Sequence, residues 1–215
     1  MVASSPIYGC CTFLCLASSN GFTLCVSRCS EIQILTFDKN WKFLGIIQKI
    51  PTSVPLLWLS SVSDAAIFGG SGTVFMEITD QGTRDLAVPL SHLYFEETIC
   101  MGNAINAHIV CTDPLEILVV FSSCALFLDS NASITRPGAF FWSGEVLQSE
   151  YANCRLYAFF DDGLKVYRVK ACDRADMSLL LIHHENVKEP KLLGRNFGVL
   201  AAATNDDAME IFVAI

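Results

Sequence analysis

The chain has 215 residues, long enough for one large or two small domains with a sizeable core. Hydrophobic residues make up 52% and charged residues 17%, a balance that excludes a disordered chain and suits a sheet-rich protein with most strands buried. The formal net charge is -8 without a basic stripe, which weighs against nucleic acid as a partner because nucleic-acid affinity depends on Lys and Arg at the phosphates.

The N-terminal region is apolar and has no charged side chain before Arg28. The run Ile7–Ala17 therefore has to be weighed as a signal segment. It lacks a basic flank and is shorter than a membrane span, which argues against that reading. The pair Asn20-Gly21 lies between two strand-like runs, and Asn-Gly in that setting is a strong hairpin signal. We therefore predict two strands here.

Short apolar or alternating runs, separated by Gly, Pro, Asn and Asp, predict β-strands along the rest of the chain. One short helix is expected over Leu90–Met101, where apolar residues share a helical face. The predicted strands are Glu31–Phe37, Trp41–Gln48, Leu56–Leu59, Ala65–Phe68, Thr73–Ile78, Arg84–Val88, His108–Thr112, Ile117–Phe121, Cys124–Leu128, Ser133–Arg136, Val146–Ser149, Arg155–Phe159, Leu164–Arg168, Ser178–His183, Leu192-Leu193, Val199–Thr204 and Ala208–Val213.

These strands fall into units of four that repeat along the chain. The third strands of successive units begin near Glu31, Thr73, Cys124, Leu164 and Ala208, a period of roughly 40 to 50 residues. Four short strands at that period indicate the blades of a β-propeller. A β-sandwich also has many short strands, but not four-strand units at a steady period. We predict an all-β propeller with about four complete blades and one partial blade.

The stretch Glu116–Gly144 carries a resemblance to a known family. It contains a strand ending in Phe127-Leu128-Asp129, the pair Arg136-Pro137 and the segment Trp142-Ser143-Gly144. In this order the features resemble the later blades of the citron homology (CNH) domain, and the resemblance extends from about Thr23 to the C-terminus. CNH domains are larger propellers, so the resemblance implies that residues 1–215 are one CNH-like segment, the C-terminal part of a larger propeller.

Within the CNH family the chain looks most like the HOPS and CORVET vacuolar-sorting tethering subunits and TGF-beta-receptor-associated protein. That resemblance implies a non-enzymatic interaction platform that binds Rab-type small GTPases and tethering-complex subunits. It also implies a cytoplasmic location, peripheral at endosomal or vacuolar membranes through partners. One alternative is the CNH regulatory domain of a Rho exchange factor or germinal-centre-type kinase, which binds Rho-type GTPases. Another is a secreted, disulfide-rich enzyme or lectin propeller.

We searched the sequence for catalytic chemistry and for metal or cofactor sites. The segment Gly69–Thr73 lacks the Lys and the following helix of a phosphate loop, and Thr73 replaces a glycine that a nucleophile elbow needs, so we predict a hairpin turn. We interpret the acidic pairs as turn residues and His183-His184-Glu185 as a solvated strand end. The remaining candidates are the aspartates and a cysteine cluster, namely Asp161, Asp162, Asp206, Asp207, Cys10, Cys11, Cys15, Cys25 and Cys29.

The ten cysteines lie mostly in apolar runs, which favours reduced thiols over a disulfide scaffold or a zinc site. The sequence Asn131-Ala132-Ser133 would be a glycosylation sequon in a secreted protein, but we interpret it as part of a turn. We expect no catalytic, cofactor-binding or metal-binding residues. The sequence leaves the interaction surface undetermined.

Overall fold

The computed structural model describes residues 12–61, 66–86, 101–129, 131–170, 179–195, 199–205 and 208–214. Every helix or strand in these ranges is a β-strand. The chain forms two compact units, Met1–Ala87 and Val88–Ile215, each built from antiparallel sheets. Within the described ranges there is no helix of the length and apolar character that crossing a bilayer requires.

The first unit contains two four-stranded meanders, each with its strands side by side in chain order. The predicted hairpin is confirmed, with pairs from Thr12↔Ser27 to Ser18↔Gly21, but its turn residues are Ser19 and Asn20, and Gly21 already belongs to the second strand. A Cβ at Gly21 would lie 2.1 Å from the carbonyl oxygen of Phe37, so only glycine fits this position. The strands are β1 (Thr12–Ser18), β2 (Gly21–Arg28), β3 (Glu31–Asp38), β4 (Phe43–Pro51), β5 (Trp58–Ser61), β6 (Ile67–Ser71), β7 (Val74–Thr79) and β8 (Gly82–Asp85).

The second unit contains two further four-stranded meanders and, over the described residues, one sheet of three strands. The partial last unit of the sequence repeat is thus confirmed for this part of the chain. The strands are β9 (Ala104–Thr112), β10 (Leu115–Phe121), β11 (Cys124–Leu128), β12 (Phe140–Phe141), β13 (Gln148–Ala152), β14 (Arg155–Phe160), β15 (Gly163–Arg168), β16 (Leu180–Glu185), β17 (Lys188–Arg195), β18 (Val199–Asn205) and β19 (Ala208–Ala214).

The core of each unit lies between the faces of successive sheets. Middle strands such as β10 and β11 are buried on both faces, which explains why their sequences are continuously apolar. The cluster between the two sheets of the first unit comprises Cys25, Ile32, Ile50, Leu56, Leu59, Met76 and Ile78. The largest cluster of the second unit includes Leu118, Val120, Phe127, Trp142, Leu156, Phe160 and Tyr167. Faces that pack on their neighbours in this way are typical of propeller blades.

Several predicted boundaries were wrong because pairing and packing between strands override turn propensity. Gly69 and Gly70 belong to strand β6, and the turn is at Gly72, whose φ is +56°. Glycine serves in this strand because Leu56 and Trp58 pack against its backbone. The strand predicted over Trp41–Gln48 is β4, which begins at Phe43 and continues to Pro51; an edge strand tolerates a proline at its end. The expected helix lies outside the described residues, except for Met101.

The predicted strand Ser133–Arg136 was also wrong. This segment makes a single bridge, between Leu128 and Ile134, and then leaves the sheet. The fourth strand is instead the short β12, where Phe140 and Phe141 pair with Ala125 and Cys124. The excursion between β11 and β12 carries Arg136 into the interior.

Candidate interaction surface

The described segments that the sequence analysis considered as catalytic or ligand-binding candidates lie in strands and turns. Gly69–Ser71 belong to strand β6, so the prediction that Gly69–Thr73 form a turn is wrong for these residues, whereas Gly72 does lie in the hairpin turn to β7. Asp161 and Asp162 make the two-residue turn between Phe160 and Gly163, where aspartate is favoured by backbone geometry. Asp206 and Asp207 lie outside the described residues.

The histidine pair lies on β16, at the edge of its sheet. His183, His184 and Glu185 are all exposed, and the Nε2 atom of His183 lies 3.3 Å from a carboxylate oxygen of Glu185. Residues two apart on a strand share a face, so His184 points the other way. Across the described part of the chain, no three His, Cys, Asp or Glu side chains come together as metal ligands.

The cysteines require one correction. Among the described residues Cys15, Cys25, Cys29, Cys124 and Cys154 are free thiols. Cys111 is disulfide-bonded, so the expectation that all cysteines are reduced is wrong at this position. Burial, with a smaller effect of neighbouring Cys15, raises the pKa of Cys25 to about 11. This thiol therefore behaves as a small apolar core residue. Cys10 and Cys11 of the cysteine cluster lie outside the described residues.

A buried ion pair anchors the excursion between β11 and β12. The Nε and Nη2 atoms of Arg136 donate to the two carboxylate oxygens of Glu116 at 2.9 and 2.6 Å. Both side chains are almost fully buried, at 0% and 1% exposure. The guanidinium also lies 3.7 Å from the ring centroid of Phe127. Arginine is suited to this place because its planar group bonds a carboxylate with two parallel hydrogen bonds and stacks on a ring.

Two further contacts extend this anchor. The hydroxyl of Thr135 donates to Glu116 at 2.9 Å, and Arg136 donates to the carbonyl oxygen of Lys170 at 2.7 Å. The pair therefore joins strand β10, the excursion and the chain after β15. The sequence pointed to Arg136 through the Arg-Pro pair, but nothing in its spacing identified Glu116 as the partner.

The first strands of two neighbouring sheets in the second unit meet through polar groups. The Nε2 atom of His108, on β9, lies 3.0 Å from the hydroxyl oxygen of Ser149, on β13. Both side chains are buried, and Tyr151 lies beside His108 with the ring centroids 6.3 Å apart. This junction joins two sheets in the interior and offers little surface to a partner.

The exposed apolar side chains gather on outer strands. In the second unit β16 presents Leu180, Leu181 and Ile182. In the first unit a larger group lies on and just before β4; this group, hereafter the β4 surface, comprises Trp41, Phe43, Leu44, Ile46 and Ile47. The sequence signal for it was the apolar run WKFLGII, which does not alternate and reads equally well as a buried strand.

The four-stranded antiparallel sheets and their stacked faces define the class of this protein, which is a β-propeller. Its sequence matches the CNH domain family over residues 5–175, which is most of the chain, and the chain belongs to that family. The CNH β-propeller is a protein-interaction domain, which makes a non-enzymatic role the expected one. No curated protein matches the sequence at a significant level.

Solved structures support the same fold. The AfRom2 CNH domain is 15% identical, with a TM-score of 0.62 over 93% of this chain and 62% of that domain. The Cps50 (Swd1) β-propeller domain of Myceliophteria thermophila is 8% identical, with a TM-score of 0.54 over 93% of this chain and 84% of that one. A putative 6-phosphogluconolactonase from Bacteroides fragilis is 12% identical, with a TM-score of 0.61 over 93% and 66% of the two chains.

These similarities show the fold alone, because the identities are low. The chain spans about three fifths of the length of the AfRom2 domain. The resemblance seen in the sequence from about Thr23 onwards is confirmed for the family, although the matched region begins earlier and ends at residue 175.

Proposed function

We propose that this chain is the interaction platform of a vesicle-tethering subunit of the HOPS/CORVET type. In this role it binds a Rab-type small GTPase together with other subunits of the tethering complex. It works in the cytoplasm, peripheral at endosomal or vacuolar membranes, and reaches the membrane through its partners.

The observation that carries this proposal is membership of the CNH family, combined with the resemblance of the segments Gln81–Leu86 (QGTRDL) and Phe140–Ser143 (FFWS) to the tethering subunits. The order of features typical of the CNH family includes Phe127, Arg136 and Trp142, which together build part of the core of the second unit. Trp142 donates from its indole Nε1 to the carbonyl oxygen of Phe121 at 2.9 Å, and Arg136 holds the preceding excursion in place. The family pattern is therefore a structural one that positions surface segments.

The mechanism is that of an adapter. Stacked sheets with buried middle strands form a rigid frame, and a rigid frame loses little conformational entropy when a partner binds. The outer strands and the segments between strands supply the contact area. The overall charge of -8 suits basic or mixed protein surfaces better than anionic lipid, so partners provide the membrane contact.

A pull-down with loaded GTPases tests the proposal. The purified chain is immobilised and offered a panel of Rab and Rho proteins, each loaded with GDP or with a non-hydrolysable GTP analogue. We expect retention of at least one endosomal or vacuolar Rab in its GTP form, with weak retention of the GDP form. Selective retention of Rho proteins would favour the regulatory-domain alternative, and retention of neither class would refute GTPase binding.

Location is tested separately. A fluorescent fusion of the full-length protein should mark endosomal or vacuolar membranes and return to the cytosol when the retained Rab is depleted. A fusion that stays on these membranes without the Rab would contradict recruitment through that partner.

A further inference from the structure

The β4 surface is more apolar than a strand that faces only solvent usually is. β4 is the outermost strand of its sheet and pairs with β3 alone among the described strands. Edge strands usually carry charged or polar side chains, because exposed apolar edges promote aggregation. Here five large apolar residues between Trp41 and Ile47 are exposed instead. Five exposed large apolar side chains within seven consecutive residues indicate a binding surface.

Two β-bulges produce the most exposed part of this surface. The β3–β4 register passes from Phe37↔Phe43 to Thr36↔Gly45, and from Leu35↔Ile46 to Ile34↔Gln48. Leu44 and Ile47 are the extra residues of β4 in these two shifts. They are also its most exposed apolar side chains, at 62% and 65%. Bulges re-aim side chains, and here both direct an aliphatic group into solvent.

Trp41 gives the surface a fixed aromatic anchor. Its indole stacks on Phe22, with ring centroids 4.1 Å apart and an interplanar angle of 11°. Its backbone adopts a left-handed conformation, with φ of +62°. The side chain of Asp38 holds this turn by accepting hydrogen bonds from the amides of Asn40 and Lys42 at 2.8 and 2.9 Å. A half-exposed tryptophan held in one position is a typical centre of a binding interface.

Three lysines lie beside the apolar residues of the β4 surface, where Asp38 and Glu31 are the carboxylates of the same sheet edge, so cations are in excess there although the whole chain is acidic. Lys39, Lys42 and Lys49 flank the apolar residues and are exposed. Lys39 and Lys42 take part in no ion pair among the described residues, and Lys49 lies 3.6 Å from Glu31. A basic rim around an apolar centre, on a chain of net charge -8, is complementary to an acidic partner that carries apolar side chains.

We infer that the β4 surface binds an acidic amphipathic α-helix of a partner protein, whose apolar stripe packs on Trp41, Leu44 and Ile47. A helix is favoured over an added β-strand because the two bulges interrupt the backbone ladder that strand addition requires. A second copy of this chain is disfavoured, since a symmetric contact would bring like lysines together. The inference rests on the β4 surface alone and does not use the proposed GTPase contact.

The test uses two fluorescein-labelled peptides of about 20 residues that differ only in charge. Both carry leucines at helical positions i, i+3, i+4 and i+7, one with Glu and Asp elsewhere and the other with Lys and Arg. Fluorescence anisotropy with the full chain should show that the acidic peptide binds at least tenfold more tightly. Its affinity should fall as the ionic strength is raised from about 0.05 M to about 0.5 M, because exposed charges are screened.

Variants locate the binding site. Leu44→Asp with Ile47→Asp should weaken the acidic peptide at least tenfold, and Lys39→Glu with Lys42→Glu should reverse the preference towards the basic peptide. Leu57→Asp is the matched control, because Leu57 is an equally exposed apolar residue of the same unit outside the β4 surface, and binding should not change. The lysine variant alters exposed charges only, so it keeps the test decisive if the aspartate variant does not fold.

Four outcomes would overturn the inference. The first is equal binding, or no binding, of the two peptides. The second is unchanged binding by the Leu44 and Ile47 variant. The third is a concentration-dependent dimer in analytical ultracentrifugation that this variant abolishes, which would assign the surface to a second copy. The fourth is retention on phosphatidylserine vesicles without binding of the acidic peptide, which would assign it to a membrane.

Discussion

Replacement of Glu116 by glutamine is the most informative perturbation of the fold. It removes the charge that neutralises Arg136 while keeping the shape of the side chain. Both partners of this ion pair are buried, and breaking such a pair from one side costs about 3 to 5 kcal/mol, because a buried charge loses its counter-charge. For a chain of this size that cost lowers the melting temperature by roughly 6 to 20 °C.

A double-mutant cycle separates the pair from the packing around it. We expect Glu116→Gln and Arg136→Met each to lower the free energy of unfolding, measured by urea titration with circular dichroism. The double variant Glu116→Gln with Arg136→Met should lose less than the sum of the single losses by about 2 kcal/mol or more, since it leaves no buried charge. Additive losses would show that the two groups act independently and would refute the reasoning.

Two other predictions test particular contacts. Gly70→Ala should lower the free energy of unfolding by about 1 to 3 kcal/mol in a melting assay, because the added Cβ would lie 2.7 Å from the ring of Trp58. Gly45→Ala is the control: a Cβ there would meet open space, so the free energy of unfolding should not fall. At pH 8 iodoacetamide should alkylate the exposed Cys29 long before the buried Cys25, because a pKa of about 11 leaves roughly one Cys25 thiol in a thousand ionised. Equal alkylation rates of the two thiols, measured by mass spectrometry, would contradict this prediction.

Much of the fold was predictable because its signals are local. The first hairpin, the apolar run of β10 and the four-strand period all follow from short-range patterning, and each is confirmed. The glycines of β6 were misread as a turn because their role depends on Trp58 and Leu56, which approach them from another strand.

The binding surface was less predictable for a related reason. A sequence shows that a residue is apolar, but the exposure of Leu44 and Ile47 depends on bulges in the β3–β4 register. Bulges arise from pairing between strands and have no signature in a single strand. The ion-pair partner of Arg136 could not be predicted for the same reason: Glu116 meets Arg136 only because the chain returns around β11.

In the excursion between β11 and β12, the residues that fix the fold are different from the residues that face outward. Asp129 fixes the start of the excursion by accepting hydrogen bonds from the amides of Asn131 and Ser133. Arg136 fixes the middle of the excursion through its buried contact with Glu116. A Cβ at Gly138, further along, would meet nothing within 4 Å, although the φ of +84° favours glycine at this position. The outward residues of the excursion can therefore diverge between related proteins, or accept an inserted tag or loop, while Glu116 and Arg136 preserve the sheet. This is a means by which one scaffold can acquire new partners without refolding.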